Sequence, residues 1–278
     1  MSKVLITGCS SGFGYFTALE ALRAGYEVVA TFRNLRDGEK LLRETLGMEG
    51  KVRVEELDVL SQESIVALVN RIGPVDCLVN NAGICISGSF YDTAEDELDL
   101  MMATNFLGPL RLINAFVPGM LEIGEGRIIN LSSVAGAVGL PGLSCYAASK
   151  HALEGYSESI YWELKEKNIK LSLVECGLFR TGMLGTNRRE TKRASAQDSP
   201  FSASYVSYRK FAERILFKRA GDPMRVARSI FRILQALHPN LRYRIGWDAH
   251  ILWVLNHVCF MSLVIPSCKM LAKDDSIS

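Results

Sequence analysis

Hydrophobic and polar positions follow two rhythms along the chain. Apolar runs of five to eight residues, rich in Val, Ile and Leu, occur at 3–7, 27–31, 52–59, 75–79, 127–131 and 169–175. Their length and composition read as strands. Between them the apolar positions fall three and four apart, as on one face of a helix: Ala18, Leu19, Ala21 and Leu22 before a stop at Gly25; Leu35, Leu41, Leu42 and Leu46; and Ile65, Val66, Leu68, Val69 and Ile72 behind a capping Ser61. Longer helical patterns cover about 95–121 and, from Tyr146, about 146–167. Strands alternating with helices pair in parallel through right-handed crossovers. The expected fold is therefore α/β, a doubly wound parallel sheet whose ligand crevice lies at the carboxyl ends of the strands.

The rhythm breaks at about 178–220, where Arg188, Arg189, Lys192, Arg193 and several serines interrupt any period. A solvated loop with a helix near 205–218 is the first reading, and a lid over the crevice is the second. Asp222 and Pro223 then open a helix to about 237, and 241–245 suits an edge strand. The stretch 250–265 is apolar, with Trp253, Phe260 and Met261, yet Asn256 and His257 interrupt it. Core or dimer packing is its first reading and a membrane-surface contact its second. The chain reads as a single domain over 1–278, with a core at 3–245, a helical lid at about 178–220 and an apolar C-terminal extension at 248–278.

Composition narrows the function classes. The 278 residues are 48% hydrophobic and carry a formal net charge of +2, so a large core is affordable and no nucleic-acid surface is indicated. The seven cysteines are scattered without a Cys-x-x-Cys pair, and the four histidines show no ligand spacing. No metal site is expected. Free thiols and a first strand starting at Lys3 place the protein in the cytoplasm, with membrane association left open by the C-terminal segment.

Two stretches carry chemistry. Tyr146 and Lys150 stand one helical turn apart on the same face, where a fixed cation favours the phenolate and fits the tyrosine for proton exchange with an alcohol or ketone. Thr7-Gly8 and the glycines at 12 and 14 lie between a strand and a helix, which lets backbone approach a pyrophosphate at a helix amino end.

With these, Asn80-Asn81-Ala82-Gly83 after the fourth strand, Asn105 in the long helix and Ser133 after the fifth strand complete an ordered set over 3–245. The chain resembles the short-chain dehydrogenase/reductase family, and within it the hydroxysteroid and retinol dehydrogenase branch. The resemblance implies a Rossmann-type fold. It implies Tyr146 as general acid/base, Lys150 as the cation that lowers its pKa and binds the nicotinamide ribose, Ser133 on the substrate oxygen, and Asn105 holding a water that links Lys150 to solvent. It places the cofactor against Gly8, Ser10, Ser11, Gly12, Phe13, Gly14, Arg33, Asp58, Val59, Asn81, Ala82, Gly83, Tyr146, Lys150, Gly177 and Thr181. Thr31 stands where NAD users often carry Asp, and Arg33 follows closely, which points to NADP(H). One departure is Cys176 before Gly177, where the family usually has proline, leaving the loop less fixed.

The uncharged stretch 134–143 suits an apolar ligand, with Ser133, Leu140, Leu143 and Tyr146 as substrate contacts. The expected activity is hydride transfer between NADP(H) and a lipophilic ketone, aldehyde or alcohol. Two alternatives stay open: the same residues serving an epimerase or dehydratase, and a non-catalytic NADP(H) sensor. The resemblance also implies a homodimer or homotetramer through the helices that hold Asn105 and Tyr146.

Overall fold

The computed structural model describes residues 2–184 and 188–258. The chain alternates β1 (Lys3–Ile6), α1 (Gly12–Arg23), β2 (Glu27–Phe32), α2 (Glu39–Glu44), β3 (Lys51–Glu56), α3 (Gln62–Ile72), β4 (Cys77–Asn80) and the short β5 (Ile86–Ser87). It continues with α4 (Glu95–Met102), α5 (Gly108–Ile123), β6 (Gly126–Ser133), α6 (Ser144–Lys165), β7 (Ile169–Cys176) and the short β8 (Arg189–Glu190). Then follow α7 (Ser202–Phe211), α8 (Pro223–Gln235), β9 (Arg242–Ile245) and α9 (Trp247–Val258).

Seven strands form one parallel sheet in the order β3-β2-β1-β4-β6-β7-β9. Because both faces are covered, strand residues of either parity are apolar. Val4 and Ile6, Val28 and Ala30, and Cys77 and Val79 pack toward α1 and α8. Leu5, Val29 and Leu78 pack on the other face, with residues of α3, α5 and α6. The doubly wound expectation thus holds, with the edge strand where the sequence placed it.

Some boundaries differ. The third strand stops at Glu56 rather than 59, because Asp58 turns the chain: its Oδ1 accepts from Leu60 N at 2.9 Å. The long helix at 95–123 is long and apolar enough to cross a membrane, yet Met101, Leu112, Phe116 and Met120 bury its face in the core. Residues Ala103–Leu107 within it form a π turn, which sequence periodicity does not reveal.

The segment after β7 is more ordered than a solvated loop. β8 pairs with β5, Tyr205 Oη bonds Ser87 Oγ at 3.0 Å, and Lys192 N donates to Glu97 Oε1 at 2.9 Å. Its basic residues meet carboxylates: Arg188 with Glu190 and Glu213, Lys192 with Asp96, Arg193 with Asp198. The helix there starts at Ser202 rather than near 205 and turns into a π segment after Phe211. Of the apolar C-terminal stretch, α9 docks on 134–138 through Ala249 and Leu252, while Phe260 and Met261 lie outside the described residues.

Candidate active site

A cleft of about 1180 Å³ opens at the carboxyl ends of the strands. Every residue expected at the cofactor lines it except Gly14, which lies beneath, and so do Ser133, Leu140 and Leu143. Asn105 also lies outside the lining, behind Gly83.

The glycine turn is held from below. Thr7 Oγ1 accepts from Asn81 N and Ala82 N, both at 2.9 Å, and Asn81 Nδ2 donates to Thr7 O at 2.7 Å and Gly8 O at 3.0 Å. Gly8 has φ +71°, and a Cβ there would lie 2.9 Å from Ala82 Cα. A Cβ on Gly14 would lie 2.4 Å from Asn81 Nδ2. Asn81 therefore shapes the floor, and only glycine fits at these two places. Above the turn, α1 begins with no side-chain cap and no acid in its first turn. Its free N–H groups and partial positive charge fit a pyrophosphate.

At the adenosine end, Thr31 Oγ1 is turned inward to Ile6 O at 3.3 Å, leaving Arg33 exposed in the cleft. The sequence reading missed Asp37, which lines the same end. Asp58 lines the cleft, and its Oδ1 also caps the turn. Val59 is buried and packs against the position of Gly108.

At the other end, the phenol and the ammonium are both buried, Tyr146 8% and Lys150 5% exposed. Lys150 Nζ donates to Leu131 O at 2.7 Å, which aims it across the end of β6. Ser133, at the end of the same strand, donates to Cys176 O at 3.4 Å, accepts from Ala135 N at 3.2 Å and lines the cleft with the Tyr146 phenol. Asn105, fully buried in the π turn, spends both amide protons on Ile84 O (2.9 Å) and Ser149 Oγ (3.0 Å), and its Oδ1 accepts from Ile84 N at 2.9 Å. Its side-chain protons are committed to protein. Gly83 lies between it and Lys150, since a Cβ there would be 3.2 Å from Asn105 Oδ1 and 3.9 Å from Lys150 Nζ.

Burial sets the proton affinities. Desolvation pulls the Lys150 ammonium down to about 8, and the Glu154 charge acts the other way. Desolvation also raises the Tyr146 phenol above its ordinary value, and the Ser133 hydroxyl only partly offsets it. The direction is opposite to the one expected from a neighbouring cation, because burial dominates in this closed site. The phenol holds its proton at neutral pH, as a general acid must. Burial pushes the nearby Cys85 and Cys176 thiols up to about 12, which makes them packing groups rather than nucleophiles.

The loop that lost its proline is fixed by another route. Asp248, from α9, accepts from Leu178 N at 2.6 Å, and its carboxylate sits 2.0 Å from where a Gly177 Cβ would be. Thr181 crosses above Gly12, its Cγ2 3.3 Å from a Cβ there. Beyond Ser133 and Tyr146 the cleft is walled by Leu100, Val134, Leu140 and Leu143, with Tyr205 and Tyr208 from α7 and Trp247, Ile251 and Leu252 from α9. The α9 and α7 contributions lie some sixty to a hundred residues from Tyr146 in sequence, and nothing local signals them. Among the described residues no group of His, Cys, Asp and Glu is placed to hold a metal.

Comparison with known proteins decides the family. A model of the short chain dehydrogenase family matches residues 2–192. The chain belongs to that family. It is 35% identical over 248 residues to 3-ketodihydrosphingosine reductase of Bacteroides thetaiotaomicron, covering 87% of each chain. It is 38% identical over 252 residues to retinol dehydrogenase 8 of Bos taurus, covering 87% of this chain and 80% of that one. A crystal structure of a short-chain dehydrogenase from Streptomyces avermitilis superposes with a TM-score of 0.81 at 30% identity, covering 99% of this chain and 100% of the other. Other structural neighbours were solved with NADP or with NAD. Retinol dehydrogenase among the relatives agrees with the branch that the motifs resemble.

Proposed function

We propose that this short-chain dehydrogenase is an NADP(H)-dependent reductase of lipophilic ketones or aldehydes. The observation that carries the reading is the meeting of Ser133, Tyr146 and Lys150 at the ends of β6 and α6, under a wall of apolar side chains. When bound, the reduced nicotinamide supplies hydride to the carbonyl carbon. The chain does the rest: Ser133 and the Tyr146 hydroxyl donate to the carbonyl oxygen, where negative charge grows, and Tyr146 gives up its proton there. The Lys150 ammonium stabilises the phenolate that remains. Leu140, Leu143 and the residues of α9 exclude water, which strengthens each of these interactions. Turnover is tested by the loss of reduced-nicotinamide absorbance with steroid ketones, retinal, and small aldehydes and ketones. Binding of NADPH with no turnover on that panel would overturn the substrate class; an epimerase or dehydratase would turn over without net release of NADP⁺.

Preference for the phosphorylated cofactor rests on Arg33, exposed in the cleft beside a Thr31 that carries no charge. Asp37 lines the same end and makes the preference a balance of two charges. Arg33→Ala is expected to weaken NADPH binding by about tenfold to a hundredfold while leaving NADH binding within about twofold. Titration of both cofactors into both proteins measures this, and equal losses would refute the assignment.

Assembly as a homodimer or homotetramer is supported by exposed apolar groups on the helices named for it, Leu121 and Ile123 on α5 and Trp162 on α6. Light scattering is expected to give a multiple of 30.8 kDa; a monomer alone removes the expectation. A reducing cytoplasm suits the five free thiols among the described residues. The exposed Trp247, Ile251 and Val254 of α9 favour peripheral membrane contact beside the substrate wall.

A further inference from the structure

A second buried charge cluster lies behind the catalytic lysine. Glu154 stands one turn after Lys150 on α6 and is 6% exposed. A Cβ on Gly136 would lie 2.7 Å from Ser132 Oγ, 3.0 Å from Glu154 Cγ and 3.3 Å from Lys150 Cβ, so the three side chains converge on one spot. Arg242, from β9, ties Glu154 to the sheet: its Nη2 bonds Glu154 Oε2 at 3.0 Å, its Nη1 bonds Glu158 Oε1 at 2.7 Å, and its Nε lies 2.9 Å from Glu175 Oε1. Arg244 Nε lies 2.8 Å from Glu175 Oε2, and its guanidinium stacks 4.0 Å from the Trp253 ring of α9.

Three carboxylates thus face two guanidiniums, which leaves one negative charge in excess. Glu158 is more than half exposed and screened by water, and Glu175 is shared by both arginines. Glu154 follows Lys150 by one turn on the same helical face; its carboxylate is bonded to Arg242 and the Lys150 ammonium to Leu131 O, so the two act on each other through space rather than as a direct ion pair.

We propose that Glu154 is a positioning residue, the fixed counter-ion of the Lys150 ammonium, with Arg242 holding its carboxylate in place. The proposal rests on Tyr146 and Lys150 serving as the acid/base pair. The other titratable groups around Lys150 are the Tyr146 phenol on α6, the Cys85 thiol beyond β4 and the Cys176 thiol at the end of β7, all of which hold their protons at neutral pH. Asp248 of α9 lies beyond Cys176, bonded to Leu178 N. Around Glu154 stand Ser132 of β6, Glu175 of β7, Arg242 of β9 and Glu158 of its own helix. Burial raises the Glu154 carboxyl, with the Glu175 charge adding to the rise, while Ser132 and Arg242 act against it.

The sign of the effect is fixed by electrostatics. Whichever of Lys150 and Tyr146 loses a proton, the pair becomes more negative, and a nearby carboxylate opposes that loss. Removing the carboxylate eases it. Glu154→Gln is therefore expected to move the alkaline limb of kcat/KM for reduction to lower pH by about one unit. Glu154→Asp keeps the carboxylate and is expected to leave the limb close to its wild-type position. A purely structural loss would lower stability in both variants without separating their limbs.

The experiment is the pH dependence of kcat/KM in wild type, Glu154→Gln and Glu154→Asp, on whichever carbonyl compound the wild type reduces. A limb lowered in Glu154→Gln and held in Glu154→Asp supports the proposal; a Gln limb that stays in place, or an Asp limb that moves as far as the Gln limb, overturns it. Should Glu154→Gln fail to fold, Glu154→Ala is read in its place by the same criterion. Tyr146→Phe assayed alongside separates the two readings. Turnover that survives in Tyr146→Phe overturns the acid/base assignment itself, whereas turnover lost there with the Glu154→Gln limb unmoved overturns only the role of Glu154.

Discussion

Tyr146→Phe is expected to lower kcat for carbonyl reduction by about a thousandfold while NADPH still binds. The substitution removes one hydroxyl from a ring that is 8% exposed and packed with Ile86, Met101 and Ala147, so the apolar contacts remain. What disappears is the proton donor to the developing alkoxide, a contribution of about 10²- to 10⁴-fold in general acid catalysis. Ser133 remains as a single donor to the oxygen and keeps the rate above that of solution. Stopped-time assays of NADPH loss, paired with fluorescence titration of NADPH, make the check. A Phe variant with near wild-type turnover would show that the proton comes from elsewhere.

Gly14→Ala is expected to be the most damaging small substitution in the cofactor half. The added methyl would sit 2.4 Å from Asn81 Nδ2 and 2.6 Å from Gly8 O. Asn81 cannot swing aside without giving up its bonds to Thr7 O and Gly8 O, which shape the turn. Forcing a methyl into such a space costs about 1–3 kcal/mol, and each orphaned buried hydrogen-bonding group adds about 1–3 kcal/mol. Thermal unfolding should fall by about 5–10 °C, with NADPH affinity down by at least about tenfold. Gly155→Ala is the control, because nothing lies within 4 Å of a Cβ there. In the middle of α6 that change should stabilise by about 0.5–1 kcal/mol. Equal behaviour of the two variants would mean that the crowding at Gly14 is relieved without cost.

Much of this molecule is readable along one dimension because the sheet is buried on both faces. The inner strands then appear as continuous apolar runs, as in β1, β2 and β4, and the helices between them carry the 3.6-residue period. Tyr146 and Lys150 are likewise one local spacing, and the glycine turn is local to its strand and helix. What escapes sequence reading is contact across the fold. Asp248 clamps Leu178 from seventy residues away, Arg242 reaches Glu154 from eighty-eight, and β5 finds β8 over a gap of about a hundred. None of these leaves a periodic trace. The π turn around Asn105 escapes for another reason: one extra residue in a helical turn hardly disturbs the apolar face. The proton affinity of Tyr146 was legible in partner but not in sign, since desolvation depends on how tightly α4, β5 and the 134–136 turn close over the ring.

The clamp made by Asp248 ties two properties that are usually free to drift apart. One carboxylate joins the start of α9, whose Ile251 and Leu252 wall the substrate side, to the backbone of the loop that carries Gly177 and Thr181. A replacement in α9 that tilts the helix to admit a bulkier compound also drags Leu178, and with it Thr181 above Gly12. Under the proposed function, substrate range and grip on the dinucleotide change together, and lineages that broaden the first should carry compensating changes around the second.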